Sequence, residues 1–181
     1  MGSVREVLTE LLAVWEAGET AGVGTVVRTF RSAPRPAGAS MVVAPDGQVS
    51  GSVSGGCVEG AVYELANDVV REGTPRLERY GISDDDAFAV GLTCGGILDV
   101  FVEPVSQRTF PELADVADDI AAHRPVAVAT VITHVDPAWV GGVAPTPGAG
   151  DQSPAGGAVL WACGPAAFSP HVARPSCSGS Q

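Results

Sequence analysis

The chain passes from extended to helical sequence across Ser54-Gly55-Gly56-Cys57, and this junction constrains its fold more than any other segment. Upstream, Ala39 to Ala44 and Gln48 to Val53 read as two short strands separated by the turn Pro45-Asp46-Gly47. Downstream, Val58, Val62, Leu65 and Val69 recur at helical spacing, and Gly73 stands where such a helix stops. A strand must therefore hand over to a helix within a Ser-Gly-Gly turn, with the helix starting at or just after Cys57. Backbone amides at a helix start lack intrahelical acceptors and carry partial positive charge, so such a turn suits an anion. Glycine there permits positive φ and close approach of a ligand to the main chain. A thiol in the first helical turn gains thiolate character, which suits nucleophilic or ligating chemistry.

The remaining elements follow from the same patterns. Ser3-Val4-Arg5-Glu6 fits a capping box, and Val4, Val7, Leu8, Leu11, Leu12 and Trp15 form the buried stripe of a first helix closed by Gly18. Gly24 to Phe30 reads as a strand that the prolines of Ser32-Ala-Pro-Arg-Pro-Ala-Gly38 cannot continue. Arg76 to Tyr80, Ile97 to Val105 and Pro125 to Thr133 read as strands, and Phe110 to Ala122 as a helix. The expected fold is α/β: a mixed β-sheet sandwiched by helices, as a single domain over residues 1–140. Residues 141–181 carry only two charged side chains, Asp151 and Arg174, among Gly, Pro, Ala and Ser. No period persists there, so this segment reads as a low-complexity tail, disordered or translated out of frame.

A second glycine loop, Gly91-Leu-Thr-Cys94-Gly95-Gly96, precedes the strand from Ile97 and repeats the cysteine–glycine pairing in mirror order. A lone cysteine in a tight turn is more often a small packed residue than a functional one. Two such loops at the ends of core elements are hard to explain by packing alone. Cys57 and Cys94 lack the paired spacing of a closed zinc site, and Cys163 and Cys177 lie in the tail. Neither G-x-G-x-x-G nor a P-loop is present, and a chain without lysine cannot supply the P-loop lysine. Glu59 complements the dipole of the helix it opens, or relays a proton to the Cys57 thiol; the structural role is the stronger expectation. Arg31 and Arg35, in the proline-rich loop, are able to meet a phosphate in bidentate fashion.

Charge narrows the function classes. Acidic residues outnumber basic ones 21 to 10, for a net charge of −11, which argues against nucleic acid or an anionic membrane as the partner. No secretory signal is visible and no apolar run reaches the ~18 residues of a membrane span, so a cytoplasmic location with reduced thiols is expected. On the residues alone, two readings stay open beside cofactor handling. One is a thiol-dependent sulfur or group transferase with Cys57 as nucleophile; the other is a non-catalytic adaptor whose loops contact a partner protein.

Pro36-Ala-Gly-Ala-Ser-Met41, Gly51-Ser-Val-Ser-Gly-Gly-Cys-Val-Glu59 and Gly91-Leu-Thr-Cys-Gly-Gly96 with Val100-Phe-Val-Glu103 occur in the order and approximate spacing of one family. On these blocks the chain resembles the XdhC/CoxI family, the xanthine dehydrogenase accessory factors, from about residue 4 to about residue 133. The resemblance implies an accessory factor rather than an enzyme, one that binds molybdenum cofactor (molybdopterin) transiently, protects it and aids delivery of its sulfurated form. The implied client is an apo molybdenum hydroxylase of the xanthine dehydrogenase or carbon monoxide dehydrogenase type. A cysteine desulfurase and a second copy of the chain are further expected partners. The implied cofactor-binding residues are Ser54, Gly55, Gly56, Cys57 and Glu59 in the first loop, and Thr93, Cys94, Gly95 and Gly96 in the second. Cys57 and Cys94 are the candidate thiol contacts to molybdenum, a pairing that suits a thiophilic metal. Many members continue into a C-terminal Rossmann-type domain, which is not recognisable in this sequence.

Overall fold

The structure, a computed structural model, describes residues 4–81, 96–124, 126–133, 140–141 and 157–163. Its elements run in the order α1 (Val4–Glu16), β1 (Ala21–Phe30), β2 (Ser40–Val43), β3 (Val49–Gly51), α2 (Glu59–Glu72), β4 (Arg76–Gly81), β5 (Ile97–Val105), α3 (Leu113–Ala121), β6 (Val126–Thr133) and β7 (Gly157–Cys163). Five strands form one sheet in the order β3-β2-β1-β5-β4. The α/β layering agrees with the sequence expectation, but among the described residues every strand pair is antiparallel, in place of the expected mixed sheet. The helical segment between β3 and β4 does return the chain in the direction of β3, but it carries β4 to the far edge, beside β5, so the two parallel strands are not neighbours.

The helices cover both faces. On one face the stripe of α2, with Val62, Ala66 and Val69 fully buried, packs on Val26, Met41, Val43, Leu98, Val100 and Val102. Two glycines let it lie flush on β1. A Cβ at Gly22 would stand 2.7 Å from Ala66 Cβ, and one at Gly24 would stand 2.8 Å from Val62 Cγ1. Pairing with β5, Ala21 opposite Val105, starts β1 at Ala21, three residues before the β-branched run that marks it in the sequence. On the opposite face Val7, Leu11 and Val14 of α1 and Leu113 of α3 pack on Ala21, Val23, Val42 and Val105. The Trp15 indole Nε1 donates to the Phe110 carbonyl at 2.9 Å, tying α1 to the turn before α3. Burying a side chain of Val or Leu size contributes roughly 1.5–3 kcal/mol, so these two layers are the main source of stability.

β6 and β7 form a separate antiparallel pair, with Val128 opposite Trp161 and Thr130 opposite Val159. Gly157–Cys163 therefore has strand structure inside the segment expected to be a structureless tail. Its apolar run is seven residues long, too short for periodicity to separate strand from loop, and the ladder of β6 supplies what the local pattern does not show. Residues 142–156 and 164–181 of that segment, Ser3 of the expected capping box, and His134 lie outside the described residues.

Candidate functional site

Antiparallel pairing brings several chain turns to one end of the sheet. β1, β3 and β4 finish there, β2 and β5 begin there, and α2 starts there. The proline-rich loop after β1 and the Ser-Gly-Gly-Cys loop after β3 consequently share this end with Gly96, the last residue of the second cysteine motif. Gly96 is pressed against the proline-rich loop, since a Cβ there would lie 2.7 Å from the Ser32 carbonyl oxygen. Ser52 N–H donates to the Ser40 carbonyl at 2.9 Å, fastening the first loop to the start of β2. Thr93, Cys94 and Gly95 lie outside the described residues, so the structure assigns them no place beside Cys57.

The first loop is organised around a carboxylate. Glu59 Oε1 accepts from the Ser52 hydroxyl at 2.7 Å and from the amides of Ser54 and Gly55, each at 2.9 Å. Oε2 accepts from the Gly56 amide at 2.7 Å and from the Ser54 hydroxyl. The Ser54 hydroxyl oxygen in turn accepts from the amides of Cys57 at 3.0 Å and Val58 at 2.9 Å. A hydroxyl has one proton to give and two lone pairs to offer, so Ser54 is fully used. The Gly55 amide also reaches the Ser52 hydroxyl, at 2.9 Å. Every backbone amide from Ser54 to Val58 thus has an acceptor inside the loop.

This arrangement explains the glycines. Gly55 and Gly56 have φ of 77° and 115°, and a Cβ on either would meet nothing within 4 Å. Their requirement is conformational: the left-handed backbone turns successive amides towards one carboxylate. Partial burial pushes the Glu59 carboxyl up, but the hydroxyls of Ser54 and Ser52 and the Ser54 amide outweigh it and bring its pKa down to about 2. Glu59 is therefore an anion at every physiological pH.

The arrangement also changes what the turn offers a ligand. The amides that suit an external anion in the sequence are donated to Glu59, five residues or fewer away in the chain. Helix α2 itself begins at Glu59, two residues after the thiol, with Val58 as an N-cap that has no side-chain bond of its own. Cys57 precedes the first turn, half-buried against the core layer beneath α2. Ser52 escapes a reading of the sequence alone, and so does the closed network. The signal is nonetheless present: two serine hydroxyls and one carboxylate bracket two glycines, and a tight turn must find acceptors for its amides.

Around the loop, Arg31 is exposed with φ of 58° and Arg35 is half-buried. Among the described residues no ion pair joins either cation to Glu59; the carboxylate is met by neutral donors. On the sheet face away from α2, Asp99 of β5 is gripped by Arg79, with Nε to Oδ1 at 2.6 Å and Nη2 to Oδ2 at 3.0 Å. Glu103, in the last block of the family resemblance, is four residues further along β5 and opposite Val23. It is carried away from the loop end, not into it. Among the described residues no group of three or more His, Cys, Asp or Glu is placed to hold a metal ion, and no helix is long and apolar enough to cross a membrane.

Several known proteins are similar to this chain over much of its length. A Bacillus subtilis protein described as a probable xanthine dehydrogenase subunit is 34% identical over 134 residues, 73% of this chain and 39% of that protein. The molybdenum cofactor insertion chaperone PaoD of Escherichia coli is 33% identical over 124 residues, 68% of this chain and 38% of that protein. The chain thus spans about two fifths of the length of these relatives. A crystal structure described as a xanthine dehydrogenase from Bacillus halodurans superposes with a TM-score of 0.61 at 22% identity, over 91% of this chain and 46% of that one, and shows the same fold. The XdhC and CoxI family model matches residues 14–81, an interval that contains the whole Glu59-centred loop. Across that interval the chain is similar to the XdhC and CoxI family.

Proposed function

We propose that the chain binds molybdenum cofactor and acts as an accessory factor for its insertion into an apo molybdenum hydroxylase of the xanthine dehydrogenase or carbon monoxide dehydrogenase type. The observation that carries this reading is the coincidence of the family match with the closely hydrogen-bonded loop that holds Cys57. A relative that is itself a molybdenum cofactor insertion chaperone supports it.

The residues fit the cofactor in part. It brings a thiophilic metal, a pterin dithiolene and a phosphate. Cys57 is a soft donor at an accessible end of the sheet, the right chemistry for the metal or its sulfur ligands. The Ser54, Gly55 and Gly56 amides do not fit its phosphate, because Glu59 already fills them. Arg31 and Arg35, cations of the neighbouring proline-rich loop, are better matched to that group. In this reading Ser54 and Glu59 hold the loop, Cys57 meets the cofactor, and Cys94 with Thr93, Gly95 and Gly96 supplies the second contact.

The test is retention of cofactor by the purified chain. Protein incubated with molybdenum cofactor and passed through a desalting column should carry molybdenum and oxidisable pterin in equal amounts. Cys57→Ala should lower both by about ten-fold, the equivalent of one lost metal–ligand contact of about 1.4 kcal/mol. Cofactor retained equally by Cys57→Ala and Cys94→Ala would remove the thiols from the mechanism. No retention by the unaltered chain would remove the function.

A further inference from the structure

We infer that Glu59 is the positioning residue of the Cys57 loop: its carboxylate is an internal anion that fills the amide nest and fixes the backbone from which the thiol projects. The use of that positioning rests on the reading that Cys57 meets the cofactor, but the positioning itself can be measured without any cofactor.

The case is one of connectivity. Five donors from residues 52 to 56 converge on the two oxygens of one side chain. The Ser54 hydroxyl gives its proton to that carboxylate, so both of its lone pairs turn to the amides of Cys57 and Val58. The position of the Cys57 backbone is thereby set by Glu59 through a single intervening oxygen. Remove the carboxylate and the Ser54 hydroxyl loses its acceptor, the amides of Ser54 and Gly56 lose theirs, the Gly55 amide keeps only the Ser52 hydroxyl, and two glycines in the left-handed region have no reason to stay there. An amide side chain is no substitute, since its NH2 would face N–H and O–H donors. Aspartate is one methylene too short to reach donors on both sides of the loop. The carboxylate's lowered pKa, to about 2, agrees with this geometry.

Two consequences follow for the proposed site. The nest is not a receptor for the cofactor's phosphate, because an anion already occupies it. And Cys57 is held against the core layer by a network that grips it through its backbone amide, so loosening that network should expose the thiol.

Chemical rescue tests this directly. Alkylation of Cys57 by iodoacetamide is followed by peptide mapping, so that the other cysteines do not contribute. Glu59→Ala should raise the Cys57 rate by about five-fold or more, the factor expected from roughly 1 kcal/mol of lost local order. Formate, which can enter the vacated nest, should return the rate towards that of the unaltered protein, whereas chloride at the same ionic strength should not. The unaltered protein should show no response to formate. Ser52→Ala, which removes one donor of the five, should raise the rate by a smaller factor and decides the matter if Glu59→Ala does not fold. A wild-type rate in folded Glu59→Ala, a raised rate that formate leaves untouched, or a wild-type rate in Ser52→Ala where Glu59→Ala is unfolded, overturns the inference. Failure of cofactor retention with this alkylation pattern intact would sink the proposed function alone. Retention with the pattern absent would sink the positioning role alone.

Discussion

Glu59 and Glu103 carry the same side chain into opposite surroundings, one in a loop at the end of the sheet and one within strand β5. Both are half-buried, yet the Glu59 carboxyl is pulled down to about 2. Glu103 is enclosed beside Pro75 and Gly141, and burial pushes its carboxyl up to about 8. The difference is the supply of donors. Five hydrogen bonds converge on Glu59, while among the described residues none reaches the Glu103 carboxyl. A carboxylate is stabilised by the groups aimed at it, and depth without donors works against the charge.

The sharpest way to break this contrast is to delete each carboxylate. Glu59→Ala should cost about 3 kcal/mol of unfolding free energy in urea at pH 7, because it strands several donors at once. Glu103→Gln should do the reverse. Its carboxyl is raised above the value of an unfolded glutamate, so the folded state keeps a proton that the unfolded state releases, and stability falls as pH rises from about 4.5 to about 8. Replacing it by an amide should remove that fall and leave the variant more stable than the parent at pH 8 by about 2 kcal/mol, allowing for partial exposure of the residue. Glu59 has the opposite sign. Its stabilising contribution is complete above about 4.5 and is lost as pH falls towards about 2. Equal and parallel pH dependences in the two variants would dissolve the comparison.

The two glutamates also mark where sequence reading succeeds and where it stops. The buried stripe of α2 and the strand Ile97–Val105 follow from local period, and the structure places both where that period puts them. Local period carries no information on strand partners, so the antiparallel order β3-β2-β1-β5-β4 could not be read from it. Gly22 and Gly24 look like weak strand residues, and only the contact with Ala66 and Val62 shows why the strand runs through them. In the loop, the capping-box rule looks three residues ahead of a serine, whereas Ser54 and Glu59 are five apart and connected through two left-handed glycines. The motif is visible in the sequence; which of its groups face one another is not. Glu103 shows the same limit, since a charged residue in a strand reads as solvent-facing until Pro75 and Gly141 close over it.

Asp99 offers the smallest and most discriminating test, because it shares Glu103's strand and face but has partners. It is nearly fully buried as a side chain, with 7% exposure, while the guanidiniums of Arg79 and Arg28 that meet it are 57% and 62% exposed. Arg79 binds both its oxygens, Arg28 stands 3.7 Å from one, and both guanidiniums lie over the Phe30 ring at 5.5 and 6.0 Å. Salt screens the attraction between exposed charges and acts far less on hydrogen bonds from neutral donors. Asp99→Asn should therefore destabilise the protein less than Glu59→Ala does, and the loss should shrink markedly in about 1 M salt, where the Debye length falls to about 3 Å. The Glu59→Ala loss should persist at that salt concentration, since its donors are neutral amides and hydroxyls. Urea midpoints for the two variants at low and high salt measure this. An Asp99→Asn loss that salt leaves unchanged would mean that its buried oxygens, rather than the arginine charges, set the cost, and would place Asp99 with Glu59 instead of between the two glutamates.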